Sequence, residues 1–177
     1  MIVRQAIVVD TCVLINILAT DRFAEIASHV APSLLICSAV AGESIYLRPV
    51  DPNQQPERLH LDPFFGRGIL TACNCDNDAE EQLYINYALE LDDGEAMGLA
   101  IAHARNLPLA TDDRKTRRVI SENAKHMRVV STAEILYAWA AGKSRGEIRP
   151  MLEAISIRAR FRPSADDPLL AWWNSFI

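Results

Sequence analysis

Ala6-Ile7-Val8-Val9-Asp10-Thr11-Cys12-Val13-Leu14-Ile15 is an apolar, largely β-branched run interrupted once by a carboxylate. Four consecutive apolar residues without alternation, Ala6 to Val9, read as a strand buried on both faces, the kind that parallel sheets contain. The apolar positions after Thr11 read as a short helix from Cys12 to Ala19, with Thr11 available as its cap. A strand that passes into a helix at Asp10 is the start of a βα unit. In open α/β sheets ligands bind outside the carboxyl ends of the strands, so Asp10 stands where such a site is built.

Working outward, the same alternation recurs. Arg22 to Val30 reads as a second helix, Leu34 to Cys37 as a buried strand, and Ser38 caps a helix expected through about Leu47. Residues 48 to 68 hold four prolines (Pro49, Pro52, Pro56, Pro63) and no stable period, and are expected to be a loop or excursion with a substrate-facing role as one reading. Ile69 to Cys75 resumes as a strand, and Asp76 or Asn77 caps a helix to about Leu91. Gly94 to Ala104 reads as a buried helix. Pro108 to Thr111 is a strand before a basic helix, and Arg128 to Val130 is the last strand before a helix over Ala133 to Ala141. Strands alternating with helices imply an α/β fold of three layers, α/β/α, with a central parallel sheet. After Gly142 only helices follow, over Glu147 to Arg160 and Pro168 to Phe176. Residues 1–142 therefore read as the main domain and 143–177 as a helical extension packed on it or on a second subunit. Adjacent Trp172 and Trp173 cannot share a helix face, so one is expected to pack inward and the other to reach a groove or partner.

Composition narrows the class. The chain has 177 residues, 50% hydrophobic, with a formal net charge of −5. That length suits one compact domain and the charge argues against a broadly basic surface. The apolar stretch Ala6 to Ala19, broken by Asp10 and Asn16, is too short for a membrane span and has no cleavage pattern, so the expected location is the cytoplasm. Cys12, Cys37, Cys73 and Cys75 lack the spacing of a zinc site and read as buried free thiols. His60, His103 and His126 have no second ligand type at metal spacing and read as incidental.

Three more acids occupy positions like that of Asp10. Glu43 falls in the second turn of the helix begun by Ser38, Glu95 in the first turn of a later helix, and Asp113 after Thr111 and Asp112. If the fold brings these turns together, four carboxylates converge, and only protonation or cations make that tolerable. All-oxygen ligation favours Mg²⁺ or Mn²⁺. The chemistry such a cluster suits is metal-assisted hydrolysis of a phosphodiester. Each acid also has a structural reading: Asp10 and Asp113 as helix caps, and Asp92-Asp93-Gly94-Glu95 as a capping box. Glu43, with no cationic neighbour in sequence, is hardest to explain that way.

Val8-Val9-Asp10-Thr11-Cys12-Val13-Leu14-Ile15, Glu43, Glu95-Ala96-Met97-Gly98-Leu99-Ala100-Ile101-Ala102 and Leu109-Ala110-Thr111-Asp112-Asp113 resemble the successive motifs of PIN domains, over most of residues 6 to 140. Leu91-Asp92-Asp93-Gly94-Glu95-Ala96 resembles the subgroup with a Gly-Glu-Ala motif. The resemblance implies a ribonuclease using one or two Mg²⁺ or Mn²⁺ ions, with Asp10, Glu43, Glu95 and Asp113 as ligands and catalytic acids. Thr11 and Thr111 would support them; either Asp112 or Asp113 could be the fourth ligand, the Thr-x-Asp form of the motif selecting Asp113 and leaving Asp112 as a ligand or solvent-facing. It also implies an RNA substrate, a homodimer and, for VapC-type toxins, a small antitoxin. Glu95 departs from the Asp that many such toxins carry. Arg114, Lys115, Arg117 and Arg118 directly follow the acidic pair and read as phosphate anchors or as a solvated helix face. Arg145, Arg149, Arg158, Arg160 and Arg162 form a second cationic stretch, suited to RNA or to an acidic partner. The competing reading is a catalytically silent PIN-like binding module. A Rossmannoid phosphatase is disfavoured because Cys12 stands where its second Asp is usual.

Overall fold

The structure, a computed structural model, describes residues 3–42, 45–51 and 53–177. Its centre is a five-stranded sheet built from β1 (Ile7–Val9), β2 (Leu34–Cys37), β5 (Leu70–Cys73), β6 (Leu109–Ala110) and β7 (Val129–Val130), in the order β5-β2-β1-β6-β7 with every pair parallel. Ile7, Val8 and Val9 are all buried, as an uninterrupted β-branched run in a covered sheet requires.

Helices cover both faces, giving three layers. On one side α1 (Thr11–Leu18), α2 (Phe23–Val30) and α8 (Thr132–Ala140) pack together; on the other, α3 (Ser38–Ala41) and α5 (Asp78–Tyr87) pack on α6 (Asp93–Ala104). α6 lies on β1, β2 and β6, with Gly98 bringing its backbone close to Val8. The run Ala96 and Gly98 to Ala102 is buried, which explains its lack of a polar face. α7 (Arg114–Asn123), α9 (Arg145–Arg158) and α10 (Leu170–Asn174) complete the chain, and Ile148, Met151, Leu152, Ile155 and Trp173 join the same hydrophobic core as the sheet. Trp173 is buried while Trp172 is half-buried, edge-on to Tyr137.

Three stretches differ from expectation. The helix beginning at Ser38 stops at Ala41 instead of running to Leu47, and Ile45–Leu47 is a strand, β3. It pairs antiparallel with β4 (Glu57–Leu59), so the 48–68 stretch carries a strand and a further helix, α4 (Asp62–Gly66), rather than an unstructured excursion. Ile45 and Leu47 are buried while Tyr46 is exposed, the alternation of faces that pairing with β4 imposes on an apolar Ile-Tyr-Leu run. α5 also ends earlier than expected, at Tyr87 rather than near Leu91.

Among the described residues no helix is long and apolar enough to cross a membrane. All four cysteines are free; Cys37 and Cys73 are buried, whereas Cys12 and Cys75 are partly exposed, against the expectation of four buried thiols.

Candidate active site

Strand register brings the first and last acids together. The backbone N–H of Asp10 donates to Ala110 O at 3.0 Å and that of Thr111 to Val130 O at 3.1 Å, so the ladder runs one residue past β1 and β6 and sets Asp10 beside Thr111. The Thr111 hydroxyl donates to Asp10 Oδ2 at 2.7 Å, and the Cys12 thiol donates to the same oxygen at 3.1 Å. Asp10 precedes α1 without capping it through its side chain. Its carboxylate is thereby held in the cleft, not folded back onto the helix.

Around it opens a cleft of about 580 Å³ whose walls include Asp10, Asp92, Glu95, Asp112 and Asp113. Glu95 arrives from the first turn of α6. Burial raises the pKa of its carboxyl, and the charges of Asp113 and then Asp10 raise it further, while the Asp92 backbone amide opposes them. The side chain of Asp92 makes no cap bond, so the expected capping box is not closed from that side. Asp113 combines two roles: its Oδ1 accepts from Thr116 N at 2.7 Å, capping α7, and it also lines the cleft.

Asp112 neither points to solvent nor stands free. It accepts from Asn16 Nδ2 at 3.2 Å, from Thr132 N at 3.1 Å and from the Thr132 hydroxyl, tying the end of β6 to α1 and α8. Burial still pushes its pKa up against those donors. Three hydrogen bonds occupy much of its acceptor capacity, which makes it a brace for the cleft wall.

Glu43 lies outside the described residues. Among the described residues no group of three or more His, Cys, Asp or Glu side chains is arranged to hold a metal ion. The donors facing the cleft are nevertheless carboxylate oxygens, and the Cys12 thiol, pushed far up by burial and by the Asp10 charge, stays protonated. An oxygen-donor set in which Glu95 is raised by burial and then by the charges of Asp113 and Asp10 suits a hard divalent cation.

A second groove, of about 750 Å³, shares Asp112 and Phe161 with the acid cleft and is lined by Arg114, Arg117, Arg118 and Arg162 together with Asp166 and Asp167. Arg114 and Lys115 are exposed. Arg117 Nε donates to Thr111 O at 3.0 Å, while its Nη2 is buried with no hydrogen-bond partner among the described residues. Arg118 is engaged at the surface with Glu90 and Glu122.

Sequence reasoning overlooked Cys12 and Asn16 as parts of the site, and the contribution of Ala159, Arg160 and Phe161 to its wall. The only local clue to Asn16 was a polar residue inside the apolar helix pattern of α1. The second cationic stretch does not act as a unit: Arg158 is buried and donates to Ala19 O, Asp21 and Glu57, and Arg149 pairs with Glu153.

A family model described as a PIN domain matches residues 6–166. Comparisons with curated proteins and with solved structures gave no match. The parallel sheet with helices on both faces, the acids at its carboxyl edge and a match across most of the chain agree: this protein belongs to the PIN-domain family, a fold generally associated with nucleases.

Proposed function

We propose that the chain is a divalent-metal-dependent endoribonuclease that hydrolyses RNA phosphodiester bonds in the acid cleft. The observation that carries this reading is the convergence of Asp10, Glu95 and Asp113, separated by up to about a hundred positions, on one cleft beside an arginine-lined groove. Asp10, Glu95 and Asp113 would hold Mg²⁺ or Mn²⁺, with Glu43 as the fourth acid on the strength of its sequence motif and Asp112 bracing the wall. A divalent cation at such a set supplies Lewis-acid polarisation of a phosphoryl oxygen and activation of water. Thr111 and Cys12 orient Asp10 for that task. Arg114, Lys115 and Arg117 are the phosphate anchors; Arg118, paired with two glutamates, contributes less.

Family resemblance extends the reading to the toxin half of a toxin–antitoxin pair, acting in the cytoplasm as a homodimer. The surface on which to seek either protein partner includes exposed Tyr137 beside half-buried Trp172.

The silent binding module draws on a different observation, that no three acids among the described residues stand in ligating positions. Incubation with total RNA, with and without Mg²⁺ or Mn²⁺, separates the two. Cleavage by the wild type with added metal, absent in Asp10→Asn and Glu43→Gln, supports the nuclease. RNA binding without cleavage under every metal condition supports the module.

A further inference from the structure

Three clefts meet at one aromatic ring. Phe161 lines the acid cleft with Asp10 and Glu95, the groove with Arg114 and Arg117, and a third hollow of about 470 Å³ beside Trp173. Its ring stands edge-on to Trp173, with centroids 5.6 Å apart and planes at 77°. Trp173 is only 1% exposed, so the half-buried Phe161 ring rests on a fixed backing.

Both sequence neighbours of Phe161 are exposed cations. Arg160 reaches the acid cleft and the third hollow; Arg162 reaches the groove and the third hollow, with Nη2 donating to Asn174 Oδ1 at 2.8 Å. Among the described residues neither guanidinium pairs with a carboxylate, unlike Arg149 and Arg158 of the same stretch. Arg160 also sits at φ 55°, a left-handed backbone conformation uncommon for a residue that carries a side chain.

Carboxylates repel phosphate, so a strand approaching the acid cleft needs contacts that do not depend on that pocket. A ring edge-backed by tryptophan offers an apolar face for a base, and guanidinium groups before and after it offer charge for the flanking phosphates. Aromatic stacking with cationic tracking of the backbone is the chemistry of single-strand recognition, and a duplex, whose bases are already stacked, gains nothing from the ring.

We propose that Arg160-Phe161-Arg162 is a base-stacking platform for single-stranded nucleic acid, over which the strand passes from the arginine groove into the acid cleft. The proposal deepens the nuclease reading and rests on it only for the strand's destination.

Binding without cleavage tests it. The full chain carrying Asp10→Asn is titrated, in EDTA, into a short fluorescein-labelled single-stranded RNA followed by anisotropy. Adding Phe161→Ala weakens binding roughly tenfold, adding Phe161→Trp restores it, and adding Phe161→Leu, which keeps apolar bulk over Trp173, does not. A strand of abasic residues and a duplex of the same sequence bind equally with and without Phe161→Ala. Wild-type affinity in Phe161→Leu overturns the platform, as does a Phe161→Ala loss of equal size on strand and duplex. Should Phe161→Ala unfold early in a thermal melt, the Leu and Trp variants decide alone. A wild-type chain that cleaves nothing with Mn²⁺ but shows the Phe161 effect ends the nuclease reading and keeps the platform. A cleaving chain whose RNA affinity ignores Phe161→Leu ends the platform and keeps the nuclease.

Discussion

The Thr111 hydroxyl bridges two acids: it donates to Asp10 Oδ2 at 2.7 Å and accepts from Asp113 N at 3.1 Å. Thr111 is fully buried, so water cannot replace it when it is lost. Thr111→Val keeps the shape but leaves the Asp113 amide unpaired and Asp10 short of a donor, at a cost of about 1–2 kcal/mol. Because such supporting bonds orient ligand carboxylates, Mn²⁺ affinity by calorimetry is expected to fall about 10- to 100-fold, and Thr111→Ser to recover most of it. Unchanged Mn²⁺ binding in the valine variant would remove Thr111 from the site.

Asp112 and Asp113 are neighbours with opposite duties, and mutation separates them. Asp112→Asn turns one acceptor oxygen into a donor, which faces either the Thr132 N–H at the Oδ1 position or the Asn16 amide at the Oδ2 position, so chemical denaturation is expected to show a loss of roughly 2 kcal/mol. Asp113→Asn retains an oxygen able to accept from Thr116 N, since asparagine caps helices as well as aspartate does. Its stability is expected to change little while RNA cleavage falls. If Asp112→Asn is as stable as the wild type, the brace does not exist.

Acid should weaken the fold through Glu80. This carboxylate is 2% exposed and accepts from Arg105 Nε at 2.8 Å, Arg105 Nη2 at 2.9 Å and Asp76 N at 2.9 Å. The Arg105 bonds, ahead of the opposing burial, hold its pKa down to about 2 from an ordinary 4.5. A pKa depressed by folding stabilises above the unfolded value and is lost as pH falls through the folded one. The contribution, on the order of 3 kcal/mol, is therefore whole above about pH 4.5 and disappears toward pH 2. Unfolding free energies of wild type and Glu80→Gln, measured from pH 6 downward, should converge across that window. Parallel curves would show that Arg105 does not depress Glu80.

How much of this could be read from the chain depends on how local each feature is. β1 and Asp10 were legible because an uninterrupted apolar run ending in a carboxylate needs no partner to be recognised. β3 was not, because Ile45–Leu47 becomes a strand only by pairing with Glu57–Leu59, ten or more positions away. Cys12 and Asn16 entered the site through contacts 99 and 96 positions distant, to Thr111 and Asp112, and no helical pattern of α1 encodes those. Asp113 showed the converse limit. Cap and cleft wall proved compatible, so weighing one reading against the other could not have decided between them.

Arg158 and Arg114, both cations of stretches read as RNA-facing, are expected to fail in opposite assays. Arg158 is 8% exposed and ties Ala19 O, Asp21 and Glu57, residues 139, 137 and 101 positions away. Its acidic partners can turn to water, since Asp21 and Glu57 are 75% and 58% exposed. Arg158→Met therefore orphans chiefly the Ala19 carbonyl, which costs about 2 kcal/mol and lowers Tm. RNA affinity of the folded variant should match the wild type. Arg114 is exposed in the groove and makes no ion pair among the described residues. Arg114→Ala should leave Tm unchanged, weaken single-stranded RNA binding, and reduce the slope of log affinity against log salt by about 0.7, one phosphate's share. A salt slope that moves with Arg158→Met and not with Arg114→Ala would place the nucleic acid on a face other than the groove beside Asp112.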